Sequence, residues 1–254
     1  DFYHVMYGRE NKAPRWKDCT STTMYKTKYA TGALYVRKAF NKASKNVTLE
    51  VINDLGGAFQ NMVIGNDWMD DTTKARALDK AKHMLRQIGY PDFILDDEKL
   101  DDYYNEPVDR NEYDFNPAIG NAFLVFHVKF YQQAEFPGAI LQPPFFQQTF
   151  PKALNYGGIG TVIGHEISHG FYDQGRQFDA IGNLRDWWDG KVKDEFEKRA
   201  QCVIDQYKKE LPETGLHVNG KLTQGENIAD NGGVKQASKA YKEYLRKCGE
   251  EKTH

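Results

Sequence analysis

Apolar residues recur every three to four positions through the front of the chain, a spacing that predicts helices. Leu34, Val36 and Phe40 give one over 32–40. Val51, Ile52, Leu55, Phe59, Met62 and Val63 give another over 47–64, interrupted by Gly56-Gly57 at about 1 kcal/mol per glycine relative to alanine. The clearest pattern covers 70–88: Asp70 or Asp71 caps it, Ala75, Leu78, Ala81, Leu85 and Ile88 line one face, and Gly89-Tyr90-Pro91 ends it. Residues 92–117 are acidic and turn-rich, and read as a surface connection. The period then changes. Phe123-Leu124-Val125-Phe126-His127-Val128 reads as a strand within 118–141, and Pro143-Pro144 ends that region in extended backbone. Helical spacing returns over 191–209, with Val192, Phe196, Val203 and Tyr207 inward, and again after Gly225, with Ala237, Ala240, Tyr241, Tyr244 and Leu245. The sum is a mainly α fold with a small β-sheet, an α+β arrangement. It divides into a helical scaffold over 1–117 and a part over 118–254 that holds the chemistry.

That chemistry centres on Val162-Ile163-Gly164-His165-Glu166-Ile167-Ser168-His169. On a helix, positions i and i+4 share a face, so His165 and His169 can reach one metal ion. Zinc takes nitrogen, sulfur or oxygen donors tetrahedrally, and a catalytic site leaves one position for water. Glu166 then stands where it can take a proton from that water, and the H-E-x-x-H pattern reads as a metallopeptidase centre. Two surface histidines beside an exposed glutamate are the bland alternative. Val162, Ile163 and Ile167 argue against it, because a buried imidazole needs a partner.

Two histidines do not complete a zinc site. Gly225-Glu226-Asn227-Ile228-Ala229-Asp230 offers Glu226 as a third ligand, with Asp230 one helical turn on. A carboxylate at Asp230 can accept the second ring N–H of a zinc-bound histidine, which fixes its tautomer and raises its basicity.

With these residues in view, the chain resembles the catalytic lobe of the neprilysin and endothelin-converting-enzyme family of zinc endopeptidases. Besides the two metal motifs, the resemblance is carried by Asn155-Tyr156-Gly157-Gly158-Ile159-Gly160, Leu184-Arg185-Asp186-Trp187-Trp188 and the run from Gly225 to Gly233. Asn121-Ala122-Phe123, Ile140 to Phe146, Trp68-Met69-Asp70 and Ile88-Gly89-Tyr90-Pro91 also match. The resemblance implies a thermolysin-like zinc peptidase lobe. It makes His165, His169 and Glu226 the ligands of one Zn2+, Glu166 the general base and acid, and Asp230 the orienting carboxylate. It implies that Asn121 and Ala122 hold an extended peptide substrate, physically a form of strand addition. Departures from the family pattern include His127, read as a structural histidine, and Tyr172, which stands where an aspartate is common.

A net charge of −2 gives no support for a nucleic-acid partner, and no apolar run is long enough to span a bilayer. Three cysteines, an odd number, flag a missing partner. The resemblance implies that Cys19 bridges to an N-terminal lobe and Cys202 to a C-terminal segment, both outside this chain, and it assigns nothing to Cys248. Asn46-Val47-Thr48 is a glycosylation sequon. With the resemblance, these lead to the expectation of an extracellular setting, secreted or as the ectodomain of a single-pass membrane protein; a reduced intracellular protein with three inert thiols is the alternative on the cysteines alone.

The function expected is hydrolysis of internal bonds in small extended peptides by a zinc-activated water. The alternative is a non-catalytic or impaired zinc-containing peptide-binding fragment. It draws on the family's oxyanion-binding histidine and substrate-binding arginine, which have no counterpart after His169, so weak cleavage is expected of this chain alone.

Overall fold

The computed structural model describes residues 13–105, 133–172, 174–208, 210–211 and 215–249. In chain order the helices are α1 (Arg15–Lys26), α2 (Lys28–Ala39), α3 (Lys42–Ile64), α4 (Asp71–His83) and α5 (Asp97–Asn105), then α6 (Lys152–Asn155), α7 (Thr161–His169), α8 (Gly190–Tyr207) and α9 (Gln224–Cys248). Four short strands intervene: β1 (Leu85–Gly89), β2 (Gln133–Pro137), β3 (Glu210–Leu211) and β4 (Leu216–His217). The fold is mainly helical. Among the described residues, strand pairing is confined to parallel β1–β2, in register from Leu85 with Gln133 to Gly89 with Pro137, and antiparallel β3–β4. The strand expected at 123–128 lies outside the described residues.

Packing groups the described residues into two compact units. One compact unit holds 13–41 with 90–105, and the other holds 42–89 with the described residues from 133 onward. The first unit gathers α2, a 3-10 turn at Asp92–Leu95 and α5 around Ala33, Val36 and Ile94, edged by Tyr29, Phe40, Tyr90 and Phe93, while α1 buries no side chain. Leu34, expected inward, is exposed. The second unit contains every described residue of the H-E-x-x-H and Glu226–Asp230 motifs.

In that second unit α3 runs without a break through Gly56-Gly57, contrary to the expected interruption. Val51, Ile52, Leu55, Ala58, Phe59 and Val63 are buried along it, and α9 packs on this helix. Burial of a Val or Leu side chain contributes about 1.5–3 kcal/mol, more than the glycine penalty. The helix predicted over 70–88 is shorter. Asp70 caps it by accepting from Thr73 N at 2.9 Å and Thr73 Oγ1 at 2.6 Å, and it ends at His83. Leu85 and Ile88 belong to β1 instead. A spacing of three fits either element in so short a run, and the distant pairing with β2 decides it. The buried face of α4 only partly matches the one expected: Ala81 is buried as expected, but Thr73, Ala77 and Lys80 complete the face while Ala75 is exposed. On α8, Val192 and Phe196 are buried as expected, with Ala200 and Ile204 rather than Val203 and Tyr207 completing the face.

The sequon does not sit in a loop. Asn46 and Thr48 lie in α3, and Thr48 is fully buried with its hydroxyl donating to Ser44 O at 2.8 Å.

Candidate metal centre

The stretch leading into α7 is a π-helical turn, Tyr156–Gly160, continuous with α6 before it. Widening the helix frees backbone groups that need other partners. Ile159 N donates to Phe145 O at 2.8 Å, and the approach is so close that a Cβ at Gly158 would lie 2.4 Å from that oxygen. Asn155, fully buried, accepts from Gln147 N at 3.1 Å and donates to Gln147 O at 2.9 Å. The buried Tyr156 hydroxyl donates to Asp54 on α3, and burial and that carboxylate push its pKa upward. The glycine-rich entry is therefore locked on both sides before the motif begins.

Helices α7 and α9 then cross at glycine. A Cβ on Gly164 would lie 2.9 Å from Gly233 Cα, and one on Gly233 would lie 2.4 Å from Thr161 O and 2.8 Å from His165 N. The crossing is sealed by Gln236, 1% exposed, whose amide nitrogen donates to Gly164 O at 2.9 Å and Ser168 Oγ at 2.8 Å. This contact brings the start of α9 beside the histidines of α7.

His165 Nδ1 lies 2.8 Å from Asp230 Oδ1. With the proton on Nδ1 donated to that carboxylate, Nε2 presents a lone pair. His165 Nε2 faces His169 Nε2 at 2.7 Å, and Glu226 Oε2 lies 3.3 Å and 3.5 Å from the two nitrogens. Two imidazoles and a carboxylate, all electron-pair donors, thus converge on one point. With both Nε2 atoms unprotonated such a set is repulsive, and either a proton shared between the rings or a metal ion among the donors relieves it. Tetrahedral zinc bonds of about 2.0–2.1 Å place ligand atoms roughly 3.3 Å apart, close to the two His–Glu separations, while the His–His separation of 2.7 Å is shorter and would open on binding. The donor set fits zinc. His169 is 2% exposed, His165 18% and Glu226 66% by side chain, so the cluster opens on the Glu226 side among the described residues. Glu166 is half-buried; burial raises its carboxyl pKa and Glu226 adds to the rise, while His165 opposes it.

Sequence models of peptidase family M13 match residues 1–91 and 129–254. The chain belongs to peptidase family M13. Neprilysin-1 of Caenorhabditis elegans is 53% identical over 98% of this chain and 37% of its own length. Endothelin-converting enzyme 1 of Mus musculus is 36% identical over 99% and 36%. Among solved structures, the zinc metalloprotease ZMP1 of Mycobacterium tuberculosis, in complex with an inhibitor, superposes with a TM-score of 0.74 at 33% identity, over 96% of this chain and 41% of that one. The chain thus spans little more than a third of the curated relatives it matches.

Of the site residues expected from the sequence, this M13 chain brings together His165, His169, Glu226, Asp230 and Glu166, while Asn121, Ala122 and His127 lie outside the described residues. Cys19, Cys202 and Cys248 are exposed free thiols. No described helix is long and apolar enough to cross a membrane. Sequence reasoning missed the supports: the Gly164–Gly233 crossing, Gln236, Tyr172 beside His169, and Lys80. A lysine three residues beyond Ala77 on the face that buries Thr73 and Ala81 was the available signal for the last.

Proposed function

We propose that this chain carries the catalytic centre of a zinc-dependent endopeptidase of the neprilysin and endothelin-converting-enzyme type, hydrolysing internal bonds of small extended peptides in an extracellular setting. The observation that carries the reading is the convergence of His165 Nε2, His169 Nε2 and Glu226 Oε2 from two helices beside a half-buried Glu166. The family membership supports it.

The three converging side chains would hold the ion. Zinc, when bound there, supplies Lewis acidity toward a carbonyl and acidifies water. Asp230 keeps His165 in the tautomer whose Nε2 is free to bind, and holds its ring toward the cluster. Glu166 takes up a proton from water as a general base and returns it to the departing amine as a general acid. Asn121 and Ala122 are proposed to hold the peptide backbone in extended form.

The test is cleavage of a quenched-fluorescent peptide by the zinc-loaded chain and by Glu166→Gln. Cleavage that disappears in the variant supports the peptidase. One bound zinc without cleavage in either protein favours the impaired peptide-binding fragment, and cleavage surviving in the variant contradicts the role given to Glu166.

A further inference from the structure

Lys80 is 2% exposed, and no carboxylate neutralises it at hydrogen-bond distance among its described partners. Its Nζ donates to Gly170 O, Gly175 O and Phe178 O, each at 2.7 Å. In its charged form three donors meet three acceptors, so the ammonium is saturated. It also lies 5.4 Å from the Phe171 ring centroid and 6.0 Å from that of Trp187. All three carbonyls belong to the segment that leaves α7. Gly170 is the C-cap of that helix, directly after His169, where a cation complements the helix dipole. Gly175 folds back so tightly on the helix end that a Cβ there would lie 2.0 Å from His169 O.

Tyr172 is held within this turn. It is 6% exposed, its ring centroid 4.9 Å from that of His169. Gly225 also abuts the ring: a Cβ there would come within 2.7 Å of Tyr172 Cε2. Gly225 immediately precedes Glu226. The tyrosine thus fills the space between one histidine of the cluster and the residue before its carboxylate.

We infer that Lys80 is a positioning residue for the metal centre: by gathering three carbonyls of the turn after α7 it fixes Tyr172 between His169 and Gly225-Glu226, and so sets the separation of two metal-binding groups. The alternative function of Lys80, a partner for an anion in the neighbouring cavity of about 290 Å³ lined by Arg76, Asp79, Asp179 and Arg185, is disfavoured because all its donors are already taken. Burial draws the ammonium's pKa down to about 7, and Asp179 opposes that fall. The inference rests on the zinc reading of the cluster.

The experiment measures zinc affinity by chelator competition, and the visible absorption of the Co2+-loaded chain, for the wild type, Lys80→Met and Tyr172→Leu, with far-UV circular dichroism to establish folding. The expected result is retained helix content, zinc affinity weakened about 10-fold or more in each variant, as for other groups that orient metal ligands, and a cobalt spectrum altered in both. The double variant should be scarcely weaker than either single one, because both act through the same turn. Wild-type affinity and spectrum in folded Lys80→Met overturn the inference, even if the variant is less stable to urea. Should Lys80→Met not fold, Tyr172→Leu decides, and an unchanged spectrum and affinity there overturn it equally. A wild-type chain that binds no zinc fails the metal reading itself, a distinguishable outcome.

Discussion

Asp230 Oδ1 on α9 accepts from His165 Nδ1 on α7 at 2.8 Å, across 65 residues of sequence. The same helix that offers Glu226 therefore also sets the tautomer of a histidine it does not carry. Replacing Asp230 by alanine leaves all three candidate ligands in place but frees the His165 ring to turn. Zinc affinity, measured by chelator competition, is expected to fall about 10- to 100-fold. Unchanged affinity would mean that the hydrogen bond has no part in presenting Nε2.

The distance between α7 and α9 is set by the absence of two side chains. Gly233→Ala places a methyl 2.4 Å from Thr161 O and 2.8 Å from His165 N, both backbone atoms that cannot turn aside. The helices must separate, and urea unfolding should show a loss of about 1–3 kcal/mol. Because Glu226 moves with α9, zinc affinity should fall as well. Gly157→Ala is the control, since a Cβ there meets nothing within 4 Å.

Tyr156 ties the entry of α7 to α3 through Asp54. Tyr156→Phe keeps the ring, which packs 5.6 Å from Tyr241 and 5.9 Å from Tyr244, and removes only the hydroxyl. The expected cost is about 1.5–3 kcal/mol by urea unfolding, the range for a hydrogen bond to a charged group.

Lys80 gives a pH dependence of definite sign. Its pKa falls from 10.5 to about 7 on folding because the ammonium is desolvated. Between these values the unfolded chain binds the proton and the folded chain releases it, so stability rises with pH across that window. The limiting slope for one group is about 1.4 kcal/mol per pH unit. Urea unfolding of the metal-free chain from pH 7 to 10 should show the difference between wild type and Lys80→Met growing in favour of the wild type. A difference that shrinks as pH rises would contradict the assigned direction.

What was legible in the sequence was local. His165 and His169, and Glu226 and Asp230, are each one helical turn apart, so periodicity alone puts each pair on one face. The buried stripe of α3 was legible for the same reason. The joining of the two pairs was not, because it depends on Gly164 meeting Gly233, a contact between backbones that leaves no hydrophobic pattern. Leu85 and Ile88 were assigned to a helix because their strand partner lies more than forty residues away, at Gln133–Pro137. Nothing in the apolar spacing over 70–88 singles out Lys80, and only the fold brings three carbonyls to it.

The central claim is that α7 and α9 together build one metal centre. It is tested most directly by zinc content after exhaustive dialysis, measured for the wild-type chain and for His165→Ala, His169→Ala and Glu226→Ala, each shown to be folded by circular dichroism. The account predicts one zinc per wild-type chain and a large loss in all three variants. A wild-type chain without zinc, or a Glu226→Ala chain that retains its full complement, would contradict it.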